Sequence, residues 1–170
     1  MITIHGNGTI EGISNDNFRN SMPAGSIVQY VKGGITSINN RTSHASADWD
    51  NTGMQIQITP TKSTNRIIVD SHFAVHCGAD DGGGYLSWDN GSLSDTELMY
   101  QMSVYYMEYQ GWRTVPCRYE QIAGGTSQMT FTLRHYRYGN GTVYTGWESA
   151  ASGDSNKQNG GMAIAYEVVV

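Results

Sequence analysis

Charge is the first thing this chain has little of. Lys, Arg, Asp and Glu make up 15% of its 170 residues, where about a quarter is usual for a soluble chain. Ten basic residues stand against fifteen acidic ones, a net charge of −5, which argues against a phosphate- or nucleic-acid-binding protein. Apolar runs are only a few residues long, too short to span a bilayer as a helix. The opening Met1-Ile2-Thr3-Ile4-His5 does not read as a signal peptide. Only two cysteines are present, Cys77 and Cys117, 40 residues apart. They are too few for a zinc site or a disulfide framework, which leaves buried thiols or a single Cys77–Cys117 bridge. Nucleophile elbow, Walker loop, dinucleotide fingerprint and HExxH motif are all missing, so no enzyme class is indicated and no cofactor is expected.

What fills the space is Ser, Thr, Asn, Gly and Tyr. Eleven Tyr, four Trp and eight Met supply enough apolar mass for a core, which excludes a disordered chain. The dominant period is two, the mark of strands with one buried face. Met54, Ile56 and Ile58 alternate with Gln55 and Gln57 up to Thr59-Pro60. From Arg66 onward, Ile67, Val69, Ser71, Phe73, Val75 and Cys77 share one face. With Thr61–Asn65 between them, these two strands read as a hairpin. A third long strand is marked by Leu98, Tyr100, Met102, Val104 and Tyr106, although Leu93–Tyr109 also has the length of a helix. Met129, Phe131 and Leu133 mark another, and Met162, Ile164, Tyr166 and Val168 the last; Ser26–Val31, Trp112–Tyr119 and Thr142–Trp147 are shorter candidates. Glycine-rich turns separate them. The expected fold is all-β, an antiparallel β-sandwich of jelly-roll type. Residues 25–170 form it, and 1–24 are a short extended segment unable to bury a core alone.

Three constellations could carry function. Asp70, His72 and His76 share a strand face, but positions four apart on a strand are roughly 13 Å apart, too far for one ion. Only a three-fold oligomer could gather copies of His72 or His76 on its axis, so no metal is assigned. The loop from Asp80 to Glu97 collects acids, yet it lacks the ligand spacing of an EF-hand. The aromatic stretches are the stronger hint. Rings beside polar loop tips suit sugar faces or protein contacts, which makes Tyr85, Trp88, Asn90, Tyr138, Asn140 and Tyr144 the candidate receptor-binding residues.

Several short motifs occur in one order: Gly25-Ser26-Ile27-Val28-Gln29, Asn51-Thr52-Gly53-Met54, Ile56-Gln57-Ile58-Thr59-Pro60, Arg66-Ile67-Ile68-Val69, and an alternating apolar strand at the C-terminal end. Together they resemble a β-sandwich family common at the C-termini of tailed-phage fibre proteins and other virion proteins. The match is good over 25–80 and looser over the last ten residues. Asn51 and Arg66 stand where that family usually has Asp and Lys. The resemblance implies a non-enzymatic virion protein and a homotrimer with strands packed round a three-fold axis. It also implies attachment to other virion proteins through 1–24, with Ile2, Ile4, Ile10, Ile13, Phe18 and Met22 as anchoring residues. The partner beyond the virion would be a host-surface polysaccharide or protein, with no nucleic acid and no membrane insertion. The alternatives are a monomeric, lectin-like carbohydrate-binding module and a purely structural capsid decoration protein.

Overall fold

The computed structural model describes residues 3–4, 10–11, 22–34, 42–44, 49–77, 83–94, 97–98, 103–105, 111–138, 143–145 and 161–170. Its strands are β1 (Thr3–Ile4), β2 (Ile10–Glu11), β3 (Ile27–Gly34), β4 (Thr42–His44), β5 (Trp49–Ile58), β6 (Arg66–Cys77), β7 (Gly83–Asp89), β8 (Ser103–Tyr105), β9 (Gly111–Ile122), β10 (Met129–Tyr138), β11 (Val143–Thr145) and β12 (Met162–Val168). Among the described residues, β1 and β2 pair with each other alone.

Pairing of the main strands is nested. β3 pairs with β12, β5 with β10, β6 with β9 and β7 with β8, all antiparallel. One sheet therefore runs β3-β12-β6-β9 and the other β5-β10-β7-β8. β11 and β4 prolong the first sheet along the far end of β6, from Val75 to Cys77. A long antiparallel ribbon rolled into two facing sheets is a jelly roll. The all-β sandwich expected from the period-two pattern is the fold observed.

The inward faces follow from alternation. Met54, Ile56 and Ile58 of β5 meet Ile67, Val69 and Phe73 of β6, with Leu86 and Trp88, Val115 and Cys117, and Phe131 and Leu133 completing the core. Each such side chain is worth about 1.5–3 kcal/mol when fully buried. In β5 the Asn51-Thr52-Gly53 motif is a bulge, across which the register with β10 shifts. Gly53 has φ 82°, which favours glycine. Its N–H donates to Asn51 Oδ1 (2.7 Å), and Thr52 Oγ1 donates to the Leu133 carbonyl (2.7 Å). The short polar side chains thus replace the ladder bonds the bulge removes.

Four expectations are corrected. β5 and β6 are not a hairpin, since they lie in different sheets. Residues 59–65 cross the end of the sandwich, and alternation cannot distinguish such a crossing from a turn. The strand expected over Leu98–Tyr106 is limited, among the described residues, to Ser103–Tyr105. Glu97 and Leu98 have helical backbone, begun by Ser94, whose N–H and Oγ both donate to Glu97 Oε2. This is a capping box. The Cys77–Cys117 bridge is excluded by register: Cys77 faces Gly111 and Cys117 faces Ser71. Those positions lie roughly 20 Å apart along the strands. Last, β12 turns the opposite face inward. Ala163, Ala165 and Glu167 are buried, and Met162 is 51% exposed.

Glu167 explains the crossing. Its Oε1 accepts from Thr61 N–H (2.7 Å), Thr61 Oγ1 (2.8 Å), Asn65 Nδ2 (2.8 Å) and Lys62 N–H (3.2 Å). Its Oε2 accepts from Gln29 Nε2 (2.6 Å), which also donates to the Thr59 carbonyl. Burial pushes this carboxyl's pKa up, but the hydrogen bonds from Asn65, Thr61 and Gln29 outweigh it and hold the pKa below its ordinary value. Beside it, Gly25 N–H donates to the Val169 carbonyl and Val169 N–H to the Ser26 carbonyl. The strand that starts the sandwich and the strand that ends it are locked at one end. The strand ends at Gly34, Cys77, Gly83, Gly111, Tyr138 and Met162 lie at the other.

Candidate interaction surfaces

Each sheet has an outward face, and the two differ in chemistry. On the β5-β10-β7 side, Trp49, Tyr136 and Tyr85 occupy directly paired positions across three strands. Their rings lean on one another, with centroids 5.5 Å and 6.1 Å apart. The next rows are polar. Gln55 Nε2 donates to Thr132 Oγ1 and Gln57 Nε2 to Thr130 Oγ1, each at 3.2 Å. Arg134 Nε lies 2.7 Å from Asp89 Oδ2, and Asp89 Oδ1 also accepts from Gly91 N–H. Trp49 is only 6% exposed, and Ser87 and Asp89 are buried although they point away from the core.

The outward face of β3-β12-β6-β9 is open. Tyr166 stands between Tyr30 and Ile68, Ile164 between Lys32 and Asp70, and Met162 between Gly34 and His72. Tyr30 is 62% exposed, Ile27 54% and Ile122 49%. A stripe of large apolar side chains thus runs along β12. On its β9 side are charges: Arg118 lies 3.5 Å from Asp70 and 3.9 Å from Glu120, and Arg66 lies 3.8 Å from Glu120. These pairs are long and solvent-exposed, so each is worth about 0–1 kcal/mol. Large contiguous apolar patches are uncommon on the surfaces of monomers.

The residues singled out from sequence scatter over these features. Tyr85 belongs to the ring row on the outward face of β7. Trp88 is fully buried, facing Leu133 inside the sandwich, and so cannot touch a receptor; the parity of β7 points it inward with Leu86. Asn90 lies at the clasped end of the sandwich and spends its amide on the chain itself. Its Oδ1 accepts from Ser92, and its Nδ2 donates to Gln121 Oε1 (2.7 Å). Tyr138 ends β10 and Tyr144 lies in β11, both at the opposite end, while Asn140 lies outside the described residues. His72 is exposed at the end of the β12 stripe, and the side chain of His76 is outside the description. Among the described residues no three His, Cys, Asp or Glu are grouped to hold a metal. Of the anchoring residues, Ile4 pairs with Ile10 between β1 and β2, and Met22 is half-buried. Ile2, Ile13 and Phe18 lie outside the described residues. Sequence reasoning missed the clasp on Glu167 and the outward turn of β12. The signal for the second lies in the alternation itself: Met, Ile, Tyr and Val alternate with Ala, Ala and Glu, and the smaller set faces the core.

No protein-family model matches the chain, and no curated protein sequence is significantly similar to it.

Proposed function

We propose that the chain is a non-enzymatic structural protein of a phage virion. It is a short trimeric fibre, attached through residues 1–24 and presenting its jelly roll for host-surface attachment. The observation that carries this reading is the open apolar face along β12, which one isolated sandwich does not need. The motifs that resemble the fibre family support it from another side. Gln29, Thr59-Pro60-Thr61 and the C-terminal strand meet on Glu167, so they serve architecture, as expected where a family shares a scaffold and not a reaction. Polarity supports it too. The chain enters the sandwich at the clasped end, and the strand ends at Tyr138 and Tyr144 lie at the opposite end, the end this reading gives to the receptor.

Three of the described acids serve the fold: Asp89 meets Arg134, Glu167 holds the clasp and Glu97 caps with Ser94. That is the pattern of a scaffold. The lectin-like alternative would draw on the ring row of β5, β10 and β7, and Trp49 in that row is covered. Light scattering on the full chain at micromolar concentration tests the reading. A mass three times 18.6 kDa is expected, and a monomer overturns it. Antibody labelling of virions then locates the protein, with label on the particle expected and label only in the lysate overturning the virion assignment.

A further inference from the structure

The geometry points to a specific subunit interface. We propose that the outward face of β3-β12-β6-β9 is covered by the same face of a neighbouring copy, about an axis running along the strands. The flank bearing Tyr30 and Lys32 then meets the neighbour's flank bearing Asp70 and Glu120. This rests on the reading of the chain as self-assembling, and it adds which surface assembles and in what orientation.

The face itself selects its occupant. Its centre is apolar: Met162, Ile164 and Tyr166 on β12, with Tyr30 beside Tyr166 on β3 and Ile68 on β6. Its charges are of both signs, Lys32, Arg66 and Arg118 against Asp70 and Glu120. A nucleic acid or an anionic lipid surface would require one sign. A surface that carries both signs around an apolar centre complements a copy of itself.

The distribution of those charges sets the orientation. Across one row run Lys32, Ile164, Asp70 and Arg118, one from each strand. The β3 flank therefore carries a lone cation, and the β6-β9 flank carries both acids together with Arg66 and Arg118. Rotation about an axis parallel to the strands, whether two-fold or three-fold, brings the β3 flank of one copy to the β6-β9 flank of the next. An in-plane axis perpendicular to the strands would instead stack Lys32 on Lys32. The first arrangement sets Lys32 against the neighbour's Asp70 row, whereas the second sets like charge on like, Asp70 on Asp70 as well as Lys32 on Lys32. The acids are available for it, because their present arginine contacts, at 3.5–3.9 Å and solvent-exposed, hold them only weakly.

Zero-length carbodiimide cross-linking of mixed light and isotope-labelled full chains reads this directly. Links from Lys32 to Asp70 or Glu120 between a light and a heavy chain are expected. Charge reversal gives a second readout. Lys32→Glu and Asp70→Lys should each weaken assembly about tenfold or more, while the double reversal restores it to near wild type. Tyr166→Arg should leave a folded monomer, its fold checked by circular dichroism. An assembled wild type with no such cross-link, and with assembly indifferent to Lys32→Glu and Tyr166→Arg, overturns the interface and leaves the trimeric reading standing. A wild-type monomer overturns both.

Discussion

The outward face of β5-β10-β7 answers its own side chains, whereas that of β3-β12-β6-β9 does not. On the first, ring leans on ring from Trp49 to Tyr85, glutamines bond threonines across strands, and Arg134 meets a buried Asp89. On the second, Tyr30, Ile164, Tyr166 and Met162 are large, apolar and partly or largely exposed. β12 shows the difference within one strand. Its core side holds Ala163 and Ala165, and its bulky residues point out. Small residues inward let the sheets approach; large residues outward add nothing to the monomer's core. A strand built this way suits the proposed subunit interface, with one face buried in its own chain and the other left for a copy.

If that division holds, cutting the inner side of β12 should damage folding and cutting its outer side should not. Glu167→Ala is the largest expected loss, about 3–5 kcal/mol in denaturant unfolding, because it strands the buried donors of Asn65, Thr61 and Gln29 around an empty site. Acidity should act through the same group. Its folded pKa lies below the unfolded one, so its contribution is complete above the ordinary carboxylate value of 4.5. It is lost as pH falls from there through the folded pKa. Glu167→Gln should flatten that acid limb of the stability curve; an unchanged limb would mean the clasp is not the titrating element.

The closed outer face should come next. Asp89→Ala removes a buried acceptor from Arg134 and from Gly91 N–H, a loss of about 2–3 kcal/mol. Glu120→Ala on the open face, where contacts to Arg66 and Arg118 are long and exposed, should cost under about 1 kcal/mol. Equal losses at the two positions, measured by urea midpoints, would erase the contrast between the faces.

How much of this was legible in the sequence depends on what alternation can carry. It marks which residues share a face, and Ile67, Val69, Ser71 and Phe73 do share the core side of β6. It does not say which of two faces is inside. For β12 the inward set is the smaller one, Ala163 and Ala165 with Glu167, the reverse of what side-chain size alone suggests. Nor does it say which strands pair: β5 and β6 alternate as hairpin arms would, yet Glu167, about a hundred residues away, draws their connection across the end of the sandwich. Trp88 stands beside Asp89 and Asn90, as a ring at a loop tip would, and only the pairing of β7 with β10 shows that it faces the core. Ser94-Asp95-Thr96-Glu97 was the clearest local signal overlooked, because a capping box needs only four residues.

The smallest folding effect is also the most discriminating. Tyr30→Ser removes a ring that is 62% exposed from a strand that, among the described residues, pairs with β12 alone, so the unfolding free energy of the dissociated chain should change by no more than about 0.5 kcal/mol. Assembly is a different matter, because association stabilises the folded chain by mass action and makes its melting temperature rise with protein concentration. Wild type should show that rise, and Tyr30→Ser should lose most of it while melting, at high dilution, where wild type melts. A variant that melts lower at every concentration would place Tyr30 in the monomer's own packing, and the open face would then be less open than its exposure implies.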